Sequence, residues 1–145
     1  MPIQTDEITS VIINYAIYIH RKLGPGALES VYEAILCRML QRHGLNVERQ
    51  TSIPFEFEGM QFDEGFRLDL LVEHKIIVEV KSQQALKPVH SMQLLTYLKL
   101  SNLKLGLLIN FGAPRLKDGL HRIVNDLNPA DSPLLRVNNR PTVTG

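Results

Sequence analysis

Asp69, Glu79 and Lys81 are residue types that together can handle phosphate chemistry, and they sit close in the chain. The two acids fall on β-rich runs, 66–72 and 76–80, separated by Glu73-His74-Lys75. If those three residues form the loop, Val72 pairs with Ile76, Asp69 faces Glu79, and Arg67 faces Lys81. Alternation then puts all four charged side chains on one face, with Leu68, Leu70, Val72, Val78 and Val80 on the other. A two-residue loop would send Asp69 and Glu79 to different faces. Cβ atoms of directly opposed residues lie about 4.5–5.5 Å apart, so two carboxylates there repel one another unless a cation neutralises them. Two hard oxygen donors aimed at a shared point suit Mg²⁺ or Mn²⁺. Lys81 points to the same place, where its ammonium can hold a water or a developing negative charge on phosphate. The same charges also make an ordinary solvated strand face, with Glu79–Arg67 and Asp69–Lys81 as diagonal ion pairs. The hairpin alone does not separate the two readings.

A third carboxylate comes from a helical segment. At about 100° per residue, Val31, Tyr32, Ile35, Leu36, Met39 and Leu40 form an apolar arc that contains Glu29, has Glu33 on its edge and leaves Cys37 on the polar side. A carboxylate facing a core costs several kcal/mol unless it is paired, protonated or metal-bound. Glu29 is therefore a candidate further metal ligand and catalytic group; a salt bridge to Arg67 or Lys81 is the alternative. Farther on, His90, Gln93 and Tyr97 share one helix face by their spacing. His90 can contact phosphate, Gln93 can hydrogen-bond Lys81 or a substrate oxygen, and Tyr97 can stack or hydrogen-bond. No His/Cys cluster has zinc spacing, and Cys37 lacks any partner motif for thiol catalysis.

The elements that must position these groups follow from periodicity. A first helix spans about 6–23, capped by Thr5 or Asp6 and stopped by Gly24-Pro25-Gly26; a second runs from about 28 to 42, ended by Gly44. Strands follow at 47–57, 66–72 and 76–80, with a turn at Glu58-Gly59. A third helix begins at Pro88 and ends near residue 100. A buried strand covers 105–110 and a short one 119–124. Antiparallel strands followed by a helical crossover give an α/β fold, with a mixed central sheet flanked by helices. One domain covers 1–127, and a loose, proline-containing tail covers 128–145.

With 44% hydrophobic and 21% charged residues, the chain has the composition of an ordinary globular domain. No signal peptide or membrane-spanning run is evident, and the single cysteine fits a reducing compartment, so the expected location is the cytoplasm. The net charge of +1 does not advertise a polyanion partner. Its distribution is uneven, however. Residues 1–79 carry 7 Lys/Arg against 12 Asp/Glu, and residues 80–145 carry 9 against 3. That split either places a cation site beside a phosphate-attracting surface or disperses on folding.

Gly26-Ala27-Leu28-Glu29-Ser30-Val31-Tyr32 matches the signature of the bacterial GxxExxY proteins, a branch of the PD-(D/E)XK nuclease-like superfamily, which this chain resembles over about residues 5–126. The likeness continues through Arg67 to Glu73, Ile77 to Lys81, His90 to Leu98 and Gly106 to Gly112. It implies a restriction-endonuclease-like core in which Asp69 and Glu79 bind divalent metal and Lys81 assists phosphodiester hydrolysis. The implied partner is DNA or RNA. Gln93 and Tyr97 resemble the Gln-x-x-x-Tyr arrangement of the exonuclease-type branch attached to recombination helicases. Two positions depart from the pattern. Leu68 stands where the superfamily name has proline, and Met39 where relatives often carry glutamate. The competing function is a non-catalytic nucleic-acid-binding or assembly module on the same fold. A metabolic enzyme for a small phosphorylated substrate finds no support, since there is no phosphate-cradling glycine loop.

Overall fold

The computed structural model describes residues 4–125, so the tail expected over 128–145 lies outside the described residues. The element order is α1 (Thr5–Leu23), α2 (Glu29–Arg42), β1 (Val47–Phe57), β2 (Met60–Val72), β3 (Ile76–Lys81), α3 (Pro88–Ser101), β4 (Leu105–Asn110), a 3₁₀ turn (Leu116–Gly119) and β5 (Leu120–Val124). The strands form one five-stranded sheet in chain order. Only β3 and β4, joined through α3, run parallel; the other neighbours are antiparallel. The fold is a mixed α/β sheet with flanking helices, of the restriction-endonuclease-like kind.

The parallel pair is central because its residues are apolar nearly throughout. Every residue of β4 is buried, as are all of β3 except Lys81. Both faces of such a pair need cover. On one face α1 supplies Ile8, Ile12, Ala16 and Ile19, a stripe at helical spacing, and α2 adds Tyr32, Leu36 and Leu40 over Val78, Val80, Leu107 and Ile109. On the other face Leu94 and Leu98 of α3 pack with Leu71, Ile77 and Leu108. Gly106 lets α3 come this close, since a Cβ there would stand 2.9 Å from the Leu94 side chain.

Several expectations need correcting. α1 starts at Thr5 with Gln4 in the cap position and no side-chain capping bond, so neither Thr5 nor Asp6 caps it. The buried face of α2 is rotated from the one the wheel gave. Leu28 and Val31 are exposed, Cys37 is buried, and Glu33 is buried in place of Glu29. Strand β2 begins at Met60, earlier than expected, because its outer half pairs with β1 alone. Leu68 packs with Leu71 and Ile77 and not with Leu70 and Val72, because the alternation of β2 lapses at Asp69.

The α1–α2 turn is tied down by Tyr32. Its hydroxyl donates to the Gly24 carbonyl and accepts from the Ala27 N–H at 3.0 Å, while its ring stacks on Phe111 at 4.4 Å. The tyrosine of the G-x-x-E-x-x-Y run thus links the entry of α2 to the end of β4. Gly26 has no such role, since a Cβ there would meet nothing within 4 Å. Tyr32→Phe keeps the stack and strands two backbone groups beside a fully buried ring. We expect a loss of about 1–3 kcal/mol in urea unfolding, with the secondary structure unchanged.

Candidate metal centre

The β2–β3 hairpin has the register that places the acids together. A three-residue loop, with Glu73 and His74 at positive φ, sets Val72 against Ile76 and Leu70 against Val78. There the ladder opens. In place of the next backbone pairing, the Asp69 N–H donates to Glu79 Oε2 at 2.9 Å and the Val80 N–H donates to Asp69 Oδ2 at 2.9 Å. Each carboxylate therefore caps the other's strand. Because pairing stops at Leu70, Arg67 does not come to face Lys81; it lies exposed in register with Ser52 of β1.

Burial decides the electrostatics of this pair. Glu79 is 8% exposed, and desolvation, reinforced by Asp69, pushes its pKa up to about 8. Desolvation raises Asp69 as well, against the hydrogen bond from Val80. Lys81 is half-buried beside both acids and makes no hydrogen bond or ion pair with any of the described residues. Two carboxyl groups in a partly dry site, with one ammonium nearby, offer oxygen ligands that suit a hard divalent cation, whose charge would favour their ionised form. The described residues contain no ready-made group of three His, Cys, Asp or Glu side chains that could hold a metal ion.

The surrounding elements place the other candidates as follows. Glu29 is exposed at the start of α2, and its Oε2 accepts the Ser82 N–H at 3.2 Å; it thus holds the chain just beyond Lys81. His90 sits at the start of α3, where its Nδ1 accepts the Lys87 N–H at 3.1 Å, which leaves the ring proton on Nε2. Desolvation, then Lys81 and Lys87, lower its pKa. Tyr97 stacks on Phe66 at 4.5 Å, and its pKa is raised by burial and then by Glu79 and Asp69. Gln93 is exposed between them, and no hydrogen bond joins it to Lys81.

Sequence reasoning missed two supports. Glu33, 5% exposed, accepts Arg49 Nε at 2.6 Å and Gln50 Nε2 at 2.9 Å. The same Gln50 nitrogen donates to Asp69 Oδ1 at 3.2 Å, so Gln50 fixes the second oxygen of Asp69. Its backbone is left-handed (φ 52°), which turns the side chain out of the β1 ladder toward α2. Together with Glu29, these residues line a cavity of about 450 Å³ opening on Asp69. The other support is Asn110, 2% exposed, whose side-chain amide exchanges two hydrogen bonds with the Gln83 backbone. Gly112 closes this clamp, since a Cβ would lie 2.4 Å from the Gln83 carbonyl oxygen. An asparagine ending a buried strand was the available signal for Asn110. Nothing local in the sequence marks Gln50.

A mixed sheet opened between two strands by paired acids, with a lysine two residues after the second acid, defines a restriction-endonuclease-like domain. The family model of the PD-(D/E)XK nuclease superfamily matches residues 6–123, and the chain belongs to that superfamily. No curated protein and no solved structure matches it.

The raised pKa of Glu79 has a definite consequence without metal. Between about 4.5 and about 8 the folded protein holds a proton that the unfolded chain has released, so stability falls as pH rises across that range. In EDTA, melting temperature is expected to decline from pH 5 to pH 8.5 in the wild type. Glu79→Gln should flatten that decline.

Proposed function

We propose that this protein is a metal-dependent nuclease that hydrolyses phosphodiester bonds of DNA or RNA, with Mg²⁺ or Mn²⁺ as its cofactor. The observation that carries the reading is the pairing of a buried Glu79 with a half-buried Asp69, beside a Lys81 that makes no hydrogen bond or ion pair with the described residues. Such a cluster is unfavourable by itself and favourable around a cation. Superfamily membership adds the expectation of divalent-metal use and contact with nucleic acid. The G-x-x-E-x-x-Y run and its continuation through Tyr97 support a place in the GxxExxY branch. A cytoplasmic site fits the buried, unpaired Cys37.

Asp69 and Glu79 are the residues that would hold the ion, with Glu29 a third donor from α2. When bound, the metal supplies Lewis acidity and lowers the pKa of water. Lys81 orients the attacking water and stabilises negative charge gathering on the phosphoryl oxygens. Gln50 and Val80 hold Asp69 in one orientation, which spares the site that ordering cost during reaction. Gln93, exposed on α3, is proposed to orient either Lys81 or a substrate oxygen when substrate is bound. Arg67, His90 and Tyr97 are proposed to contact the substrate, the tyrosine through its half-buried ring.

One observation favours the second reading, a nucleic-acid-binding or assembly module without catalysis. The acids already serve the fold by capping strands, and no trio of ligands is assembled among the described residues. Two substitutions separate the readings. Asp69→Asn should weaken Mn²⁺ binding in calorimetry and abolish cleavage of labelled DNA and RNA together. Lys81→Ala should leave Mn²⁺ binding within a few-fold and lower turnover by about 10²-fold or more, as expected for a group acting on the transition state. A wild type that binds no divalent ion, with Asp69→Asn unchanged in every measurement, excludes the nuclease. Metal binding without cleavage of any substrate supports the module.

A further inference from the structure

We infer that the end of the sheet where β3 and β4 terminate carries a phosphate track, along which a nucleic-acid strand leaves the Asp69–Glu79 site over Lys81, Lys87, Arg115 and Lys117 toward Arg21. The inference rests on the nuclease reading and adds where the substrate lies and in which direction it runs. Parallel β3 and β4 bring their C-terminal ends, Lys81 and Asn110, side by side. The start of α3, the loop after β4 and the end of α1 converge there. His90, which accepts the Lys87 N–H, feels the positive charge of both Lys81 and Lys87. Lys87 then lines a cavity of about 450 Å³ bounded across from it by Pro114 and Asp118. Pro114 also borders the next cavity, about 400 Å³, lined by Arg21, Arg115 and Lys117. The His20 ring donates to the Ala113 carbonyl at 2.8 Å and fixes α1 against this loop.

The cations of this track therefore form a contiguous row reaching back to the acids. Lys87, Arg115, Lys117 and Arg21 are all exposed. The one acid among them, Asp118, pairs with Arg115 at 3.7 Å with both side chains over 60% exposed, an arrangement that holds either charge weakly. The α3 N-terminus adds partial positive charge at the same place. The opposite direction is closed electrostatically. The outer β1–β2 arm carries Glu56, Glu58 and Asp63, and no Lys or Arg occurs from residue 50 to 66. A polyanion placed on the acids is thus drawn toward β4 and repelled from the arm.

The test uses the full chain and labelled single-stranded and duplex oligonucleotides, with fluorescence anisotropy measured against salt in EDTA and again in Ca²⁺. The triple variant Lys87→Glu/Arg115→Glu/Lys117→Glu is compared with Arg38→Glu/Arg42→Glu/Lys104→Glu, an equal charge change placed on α2 and at the start of β4. The track variant should flatten the slope of log affinity against log salt by about 2 on single strands and about 3 on duplex, with the control unchanged. Lys87→Gln and Lys117→Gln singly should each flatten it by about 1, which keeps the test independent of how the triple variant folds. Equal changes in track and control variants, or none in either, overturn the track. If the wild type still cleaves in that case, the nuclease reading stands without it. A wild type that neither binds nor cleaves removes both.

Discussion

The reciprocal hydrogen bonds between Asp69 and Glu79 and the opposite strand's N–H groups are the constraint on which this structure turns. Strands β2 and β3 must part at Leu70 and Val78, because β2 continues outward with β1 while β3 stays with β4. Parting strands leave N–H groups without carbonyl partners, and a buried donor left alone costs about 1–3 kcal/mol. Carboxylates satisfy those donors from within the gap. The same solution crowds two carboxyl groups where solvent is scarce, which is why Glu79 holds its proton to a pKa of about 8. Fold and chemistry are coupled at this point: neutralising either acid alters the ladder as well as the site.

Around that gap, the chain beyond Lys81 is held unusually firmly. Glu29 takes the Ser82 N–H, the Ser82 hydroxyl donates to the Ala27 carbonyl at 2.9 Å, and Asn110 grips Gln83. Tyr32 and Phe111, stacked ring on ring, connect the two ends of this clamp. The consequence is positional. Lys81 stands between a ladder fixed by the acids and a loop fixed by α2 and β4, and its flexible side chain departs from a rigid base.

The hairpin was legible in the sequence because alternation and loop length constrain each other: only a three-residue loop puts both acids together while burying the valines. The buried runs of β3 and β4 were legible from their composition. Glu29 and Glu33 were not separable by periodicity. A wheel counts Leu28 and Val31 as core, yet both lie at the open start of α2, where no neighbour covers them. What buries Glu33 is Arg49 and Gln50, sixteen and seventeen residues away, brought in by a left-handed residue that carries no glycine signal. The lapse of alternation at Leu68 has the same origin, since Asp69 stands opposite that distortion. The helix face of His90 and Tyr97 was legible, whereas the hydrogen bond expected from Gln93 depended on a rotamer that sequence does not specify.

The outer half of the β1–β2 arm has a consequence for how the molecule behaves in crowded solution. Past Ile53 and Phe66 the two strands have only each other, so both outer edges offer unpaired backbone groups to any passing strand. Its rings, Phe55 on Phe62 at 4.8 Å and Phe55 near Phe66 at 6.2 Å, make one side apolar. Such a ribbon is a template for strand addition between molecules. Pro54 interrupts one edge by withholding a donor, and Glu56 and Asp63 keep like-charged arms apart. This protection is electrostatic between exposed charges, so dissolved salt screens it. Salt, which leaves the hydrogen-bonded acids at the centre of the fold in place, exposes its periphery to self-association.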